Sequence, residues 1–127
     1  MPNIFDSCKF VLDVIGTLGV NKYLLNAPLN TTTSHCVVNF LPQTRENLLT
    51  TNVINVNLYI KKLNSQHDIA TIDAQYELIQ SRIDAYTSDT TRLGYYALQI
   101  LSEPFLGDLA DSDFSILNTR VTLTNNL

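Results

Sequence analysis

The chain has few charged residues, few cysteines and no long apolar run. Only 16% of its 127 residues are charged, and there are two cysteines. Two thiols do not make a disulfide scaffold, so we expect synthesis in a reducing intracellular environment. No segment approaches the roughly 18 consecutive apolar residues of a membrane span. The segment Met1–Asp6 lacks the charged start of a signal peptide.

Basic residues are also scarce, with eight Lys and Arg against twelve Asp and Glu, for a net charge of −4. A general DNA-binding surface needs clustered basic side chains. Only Lys61 and Lys62 form a basic pair, and the solvated end of a strand explains them equally well. Asn and Thr are abundant instead. Their amides and hydroxyls cost less to desolvate than charges do, which suits protein–protein interfaces.

Linear motifs of catalysis and cofactor binding are missing. There is no Gly-x-Ser-x-Gly or His-Glu-x-x-His segment. His35 and Cys36 are adjacent in a predicted strand and therefore point to opposite faces. Together with Cys8 and His67 they show none of the spacings of a zinc site, and we interpret both cysteines as small buried hydrophobic residues. The sequence thus predicts no metal, no cofactor and no enzyme activity.

A strand over Val53–Lys62 is the clearest local prediction. Its apolar residues Ile54, Val56, Leu58 and Ile60 occupy every second position, as on the buried face of a sheet. Asn55, Asn57 and Tyr59 occupy the positions between, on a wetter face. We interpret these three as a contact surface for another subunit or a helix.

Other elements follow from the same periodicities. An apolar stripe predicts a helix over Ile4–Ile15, ended by Gly16 and Gly19, and a second helix over Asp68–Tyr86, followed by a loop over 87–92. A polar connection is expected over 43–51. The remaining predicted strands are Val20–Asn26, Cys36–Leu41, Tyr96–Ile100 and Phe114–Leu123, with a bulge or bend near Asn118. This order predicts one α+β domain over residues 1–127, with a mostly antiparallel sheet of about four to five strands packed with two helices.

An acidic run lies between the last two predicted strands. It contains Glu103, Asp108, Asp111 and Asp113 and no Lys or Arg. One interpretation is a negative rim or lumen that repels the phosphates of DNA during its passage. A calcium site is a second, although the alternating ligands, the Gly and the later Glu of an EF-hand loop are missing. A solvated hairpin loop is the third.

The order of elements resembles the phage tail terminator or tail completion family. The features that carry the resemblance are the apolar helix Ile4–Ile15, the Asn-rich strand Val53–Lys62, the helix containing 70–79, and the closing pair Tyr96–Pro104 and Phe114–Leu123. They span most of the chain as a pattern, without a short invariant motif. The segments 30–34 and 43–52 do not align with it.

The resemblance implies a structural virion protein in the tail or neck, made in the host cytoplasm. Members of the family form rings, often hexameric, that cap the tail tube and join it to the head. The expected partners are further copies of the chain, the tail tube protein and a head-completion or connector protein. DNA would pass without specific binding, and no membrane is involved. Two alternatives stay open: a head-completion or minor tail protein, and a small α+β ligand-binding or catalytic domain without a linear motif.

Overall fold

In the part of the chain that the computed structural model describes, two α-helices pack on one face of a six-stranded β-sheet. The described residues are 4–40, 51–88, 96–100, 104–108 and 112–125. The helices are α1 (Ile4–Ile15) and α2 (Ile69–Ser88). The strands are β1 (Asn21–Leu24), β2 (His35–Phe40), β3 (Thr51–Lys61), β4 (Tyr96–Ile100), β5 (Phe105–Asp108) and β6 (Phe114–Asn125). The predicted α+β class with a mostly antiparallel sheet is confirmed, with β1 and β2 as the parallel pair among the described strands.

The long strand β3 lies in the middle of the sheet, whose order is β1-β2-β3-β6, with β4 and β5 both paired to the far edge of β6. It pairs with β6 in one continuous register from Thr51 opposite Thr124 to Lys61 opposite Phe114. Because side chains alternate between faces, the even-numbered residues of β3 point towards the helices. The predicted strand is therefore confirmed, and it begins two residues earlier than expected.

The hydrophobic core lies between the sheet and the two helices. Cys8, Val11 and Ile15 of α1 are fully buried, as are Ile79 and Ile83 of α2 to within 1%. They meet alternate residues of three neighbouring strands, which are Cys36, Val38, Ile54, Val56, Leu58, Ile60, Leu117, Val121 and Leu123. Burial of these aliphatic side chains is the main source of stability.

The final strand differs from the prediction. The expected bulge near Asn118 is wrong, since β6 stays in register with β3 throughout. Phe114 and Ile116 lie on the face away from the helices, whereas Leu117 faces them, and this explains the apparent shift in the apolar pattern. The interruption is on the other edge of β6, where β4 ends opposite Val121 and β5 begins at Phe105, opposite Asn118.

The strand β5 was not predicted, because it lies within the segment interpreted as a hairpin loop. Its four residues, Phe105–Asp108, pair with Ser115–Asn118. Such a short strand at a sheet edge contains a Gly and an acidic residue, which are depleted in strands. Pairing with β6 outweighs this weak local preference. Among the described residues the sheet therefore has six strands instead of the expected four to five.

Helix ends agree closely with the sequence. Gly16, with φ of 64°, ends α1 in the left-handed conformation that glycine adopts without a steric penalty. Asp68 caps α2, and its Oδ1 accepts a hydrogen bond from the N–H of Thr71 at 3.2 Å. The helix α2 continues to Ser88, two residues beyond the predicted end at Tyr86, so the start of the predicted loop is helical.

Strand boundaries differ by a few residues from the prediction. β1 is shorter than the predicted Val20–Asn26, because Leu25 has φ of 72° and leaves the extended conformation. β2 begins at His35. Residues 43–50 of the predicted polar connection and residues 89–92 of the predicted loop lie outside the described residues, whereas Thr51 belongs to β3. Among the helices that the structure describes, neither is long and apolar enough to cross a membrane.

Candidate functional site

The face of the sheet opposite the two helices holds the predicted contact residues. Side chains alternate between the two faces along β2, β3 and β6, so those that do not face the helices point to this face. We call it the outer face. Two groups of side chains on this face interact among themselves, an amide group and an aromatic group. The amide group is Asn39, Asn55, Asn57 and Asn118, and the aromatic group is Tyr23, His35, Tyr59 and Phe114.

The amide group forms a hydrogen-bonded chain across three strands. Nδ2 of Asn118 on β6 donates to Oδ1 of Asn57 on β3 at 2.6 Å, and Oδ1 of Asn55 is 3.3 Å from the same nitrogen. Nδ2 of Asn57 in turn donates to Oδ1 of Asn39 on β2 at 3.4 Å. Since each carboxamide both donates and accepts, these side chains hold one another in fixed orientations.

The aromatic group lies beside the amides, towards the start of β2. His35 and Tyr59 are opposite each other in the register of β2 and β3, and their rings are stacked with centroids 4.8 Å apart and an angle of 6° between planes. The edges of Tyr23 and Phe114 approach His35 with centroid distances of 6.0 and 5.4 Å. Nδ1 of His35 donates to the carbonyl oxygen of Thr33 at 2.7 Å, which fixes the orientation of the ring.

The solvent exposure of the outer face differs from the prediction. Asn55, Asn57 and Tyr59 lie on one face, as the alternation indicates, but Asn55 is 4% exposed and Asn57 is 8% exposed. Tyr59 is half-buried. The expectation of a wet surface at the two asparagines is therefore wrong. Arg120, opposite Asn55 in the register, is exposed on the same face.

Both cysteines are buried, as the sequence predicts. Cys36 faces the helices while His35 faces outwards, so the two residues do not act together. Burial raises the pKa of the Cys36 thiol to about 12, and the charge of Lys22 lowers it only in part. Burial likewise raises the pKa of the Cys8 thiol to about 11. Both are therefore protonated at neutral pH and behave as hydrophobic residues.

The acidic run is only partly described. Asp108 belongs to β5, and Asp113 is exposed while its carbonyl oxygen accepts the N–H of Lys62 at 2.8 Å. Glu103 and Asp111 lie outside the described residues. Within the described part of the chain, no three His, Cys, Asp or Glu side chains form a group that could hold a metal ion.

A His–Ser pair was missed by the sequence reasoning. Nδ1 of His67, in the segment before α2, contacts Oγ of Ser115 on β6, 48 positions away in the chain. Ser115 is completely buried, so its hydroxyl is not presented to a substrate. The pair joins the start of α2 to the sheet. A separation this long gives no local signal in the sequence.

Two small clefts are relevant to the ligand-binding alternative. A polar cleft of about 320 Å³ is lined by Lys61, Lys62, Ser65, Ser112 and Asp113. An apolar groove of about 300 Å³ lies between α2 and the β5–β6 edge and is lined by Ile69, Ile72, Asp73, Tyr76, Pro104 and Leu117. Both are at the lower limit of the roughly 300–1,000 Å³ that is typical of ligand pockets.

No protein-family model matches the chain, and no curated protein matches it.

Proposed function

We propose that the chain is a structural virion protein, a tail terminator-like subunit that assembles with further copies of itself into a ring at the end of the tail tube. The resemblance in the order of elements supports the role in the virion. The α+β fold with two helices on one face of the sheet is consistent with it. In this role the protein acts through shape and contact, with no chemical step.

The outer face is the observation that carries the protein-contact role. Its hydrogen-bonded amides and stacked rings are fixed before any partner arrives, and a fixed surface loses less conformational entropy on binding. Arg120 stands exposed on this face, and Arg is enriched in protein interfaces. We assign this face to the contact with the tail tube protein or with a neighbouring copy, with Asn55, Asn57 and Tyr59 as its support.

The oligomeric state tests this proposal directly. Light scattering of the full chain over a wide concentration range should show a defined multimer, and electron micrographs should show rings with a central hole as wide as duplex DNA. DNA carries dense phosphate charge, so the wall of this hole should not be basic. A strict monomer at all concentrations, with no ring in the micrographs, would contradict the proposal.

A matched pair of variants tests the role of the outer face. Arg120→Ala removes an exposed side chain from that face, whereas Gln80→Ala removes an exposed side chain from α2. Since exposed substitutions have small effects on folding, both variants should unfold like the wild type. Assembly or attachment to tail tubes should be weaker only for Arg120→Ala. Equal behaviour of the two variants would remove the outer face from the contact.

A further inference from the structure

The outer face of the sheet carries positive charge in a chain whose net charge is −4. Lys61, at the end of β3, and Arg120, on β6, are both exposed on this face. At the other outer positions of the six described strands there is no Lys, Arg, Asp or Glu. The charge that these strands present on the outer side is therefore entirely basic.

The solvent side of α2 carries the opposite charge. Asp73, Glu77 and Asp84 are all exposed. With 3.6 residues per turn, these positions fall within roughly 40° of one another around the helix axis. Arg82, the basic residue of α2, points instead towards α1 and donates to the carbonyl oxygen of Ile15. The helix thus presents three aligned carboxylates to solvent, and we call Asp73, Glu77 and Asp84 the acidic stripe.

The outer face and the acidic stripe are on opposite sides of the molecule. Since α2 packs on the other side of the sheet, the stripe of a chain cannot reach the outer face of the same chain. The other helix, α1, has mixed charges at its exposed positions, which are Asp6, Lys9 and Asp13. Of the two described helices, α2 is therefore the one whose exposed charge complements the outer face.

The two surfaces also match in length. Arg120 is opposite Asn55, and Lys61 lies six residues further along β3, so the two cations are roughly 20 Å apart. Asp84 follows Asp73 by eleven residues, or roughly 17 Å along the helix. Long, flexible Lys and Arg side chains cover the difference of roughly 3 Å. A helix placed along β3 and β6 therefore brings a carboxylate near each cation.

We propose that the outer face of one copy binds the acidic stripe of a second copy. Contact between two outer faces would place cations against cations, and contact between two stripes would place carboxylates against carboxylates. The interface is therefore head-to-tail, and it forms a closed ring when its rotation closes. This inference rests on the proposed function and names the neighbouring copy as the partner of the outer face.

Single charge reversals test the two surfaces in sedimentation of the full chain. Arg120→Glu and Glu77→Lys should each weaken self-association at least about tenfold, because each brings like charges together. Lys9→Glu, which reverses an exposed charge on α1, is the matched control and should leave self-association unchanged. Gln80 of α2 is uncharged, so Gln80→Ala also leaves the charge pairing intact. Self-association of the wild type should weaken as the salt concentration rises.

A pair of complementary variants gives a sharper test. The first carries Lys61→Glu with Arg120→Glu, and the second carries Asp73→Lys, Glu77→Lys and Asp84→Lys. Each variant alone should stay dissociated, because its outer face and its helix then have the same charge. An equimolar mixture should assemble, since each outer face meets an oppositely charged helix of the other variant. All five side chains are exposed, so both variants should unfold in urea like the wild type.

The failure of this interface and the failure of the ring give different results. If the wild type is a multimer, assembly of either complementary variant alone would overturn the interface and leave the ring standing. Folded variants that do not assemble when mixed would do the same, as would a wild-type multimer that is insensitive to salt, which needs no variant at all. A wild-type chain that stays monomeric would overturn both proposals.

Discussion

The guanidinium of Arg82 donates to the carbonyl oxygen of Ile15, 2.7 Å away. The same nitrogen also contacts the carbonyl oxygen of Thr17. Arg82 lies in α2, and Ile15 is the last residue of α1. A cation at this position satisfies carbonyl groups that have no partner within the helix and interacts favourably with the negative end of the helix dipole. The contact fixes the end of one helix against the other.

Replacing Arg82 by Met should therefore destabilise the fold. The Met side chain keeps most of the apolar length but removes the charged donor, and hydrogen bonds to charged groups contribute about 1.5–3 kcal/mol. We expect the free energy of unfolding, measured in urea, to fall by about 2 kcal/mol. Gln80→Met, at an exposed position of the same helix, is the control. Equal losses in the two variants would show that the Arg82 contact is not important.

Loss of the helix cap at Asp68 should also be measurable. Oδ1 of Asp68 accepts the N–H of Thr71, and Oδ2 accepts the Thr71 hydroxyl at 2.6 Å. Asp68→Ala should cost about 1 kcal/mol, while Asp68→Asn keeps an acceptor and should cost less. Hydrogen exchange of the Thr71 amide should accelerate in the alanine variant. Unchanged exchange there would contradict the cap.

The amide chain on the outer face predicts a coupling between two residues. Asn57→Ala removes the acceptor of the 2.6 Å bond from Asn118, and Asn118→Ala removes its donor. Because Asn57 is nearly buried, each single variant should lose about 1–2 kcal/mol, and the double variant should lose less than the sum of both. Asn26→Ala, at an exposed position, is the control for asparagine loss. Strict additivity of Asn57→Ala and Asn118→Ala would mean that the bond contributes nothing.

Stability should fall in alkaline solution because of the buried thiols. Burial raises the pKa of Cys8 from 9.0 to about 11 and that of Cys36 from 9.0 to about 12. Above pH 9 the unfolded chain loses these protons first and binds fewer than the folded chain, so the free energy of unfolding decreases as the pH rises towards 12. Below pH 9 the thiols are protonated in both the folded and the unfolded chain, and the stability that depends on their protonation is fully present.

The variant Cys8→Ala with Cys36→Ala isolates this effect. It should be less stable at neutral pH, because cavities replace two buried sulfur atoms. Its stability should nevertheless decrease less steeply than that of the wild type between pH 9 and 12, because the two thiols with raised pKa values are absent. Parallel pH profiles from urea unfolding would show that the thiols are already accessible in the native state.

Local periodicity was enough to predict most of the elements. The strand around Leu58 and both helices have apolar residues at regular spacings, and these spacings depend only on backbone geometry. Asp68 and Gly16 mark helix ends through conformational preferences that act within one or two residues. The strand β5 has no such pattern, because its four residues are held by pairing with β6.

The candidate site was predicted in part. Alternation placed Asn55, Asn57 and Tyr59 on one face, and the structure confirms this. The low exposure of Asn55 and Asn57 was not predictable, because it depends on residues far apart in the chain that meet only in the folded protein. The apolar groove also combines α2 with Pro104 and Leu117, which no local pattern connects.

The sequence by itself determined the two helices, the central strand and the face on which each of its side chains lies. These follow from backbone periodicity and short-range preferences, which each segment contains in full. Only the tertiary structure decided that β5 joins the sheet, that Arg82 contacts the end of α1, and that the apolar groove forms between α2 and the β5–β6 edge. Those relationships depend on strand order and packing between residues far apart in the chain, where local preferences have no influence.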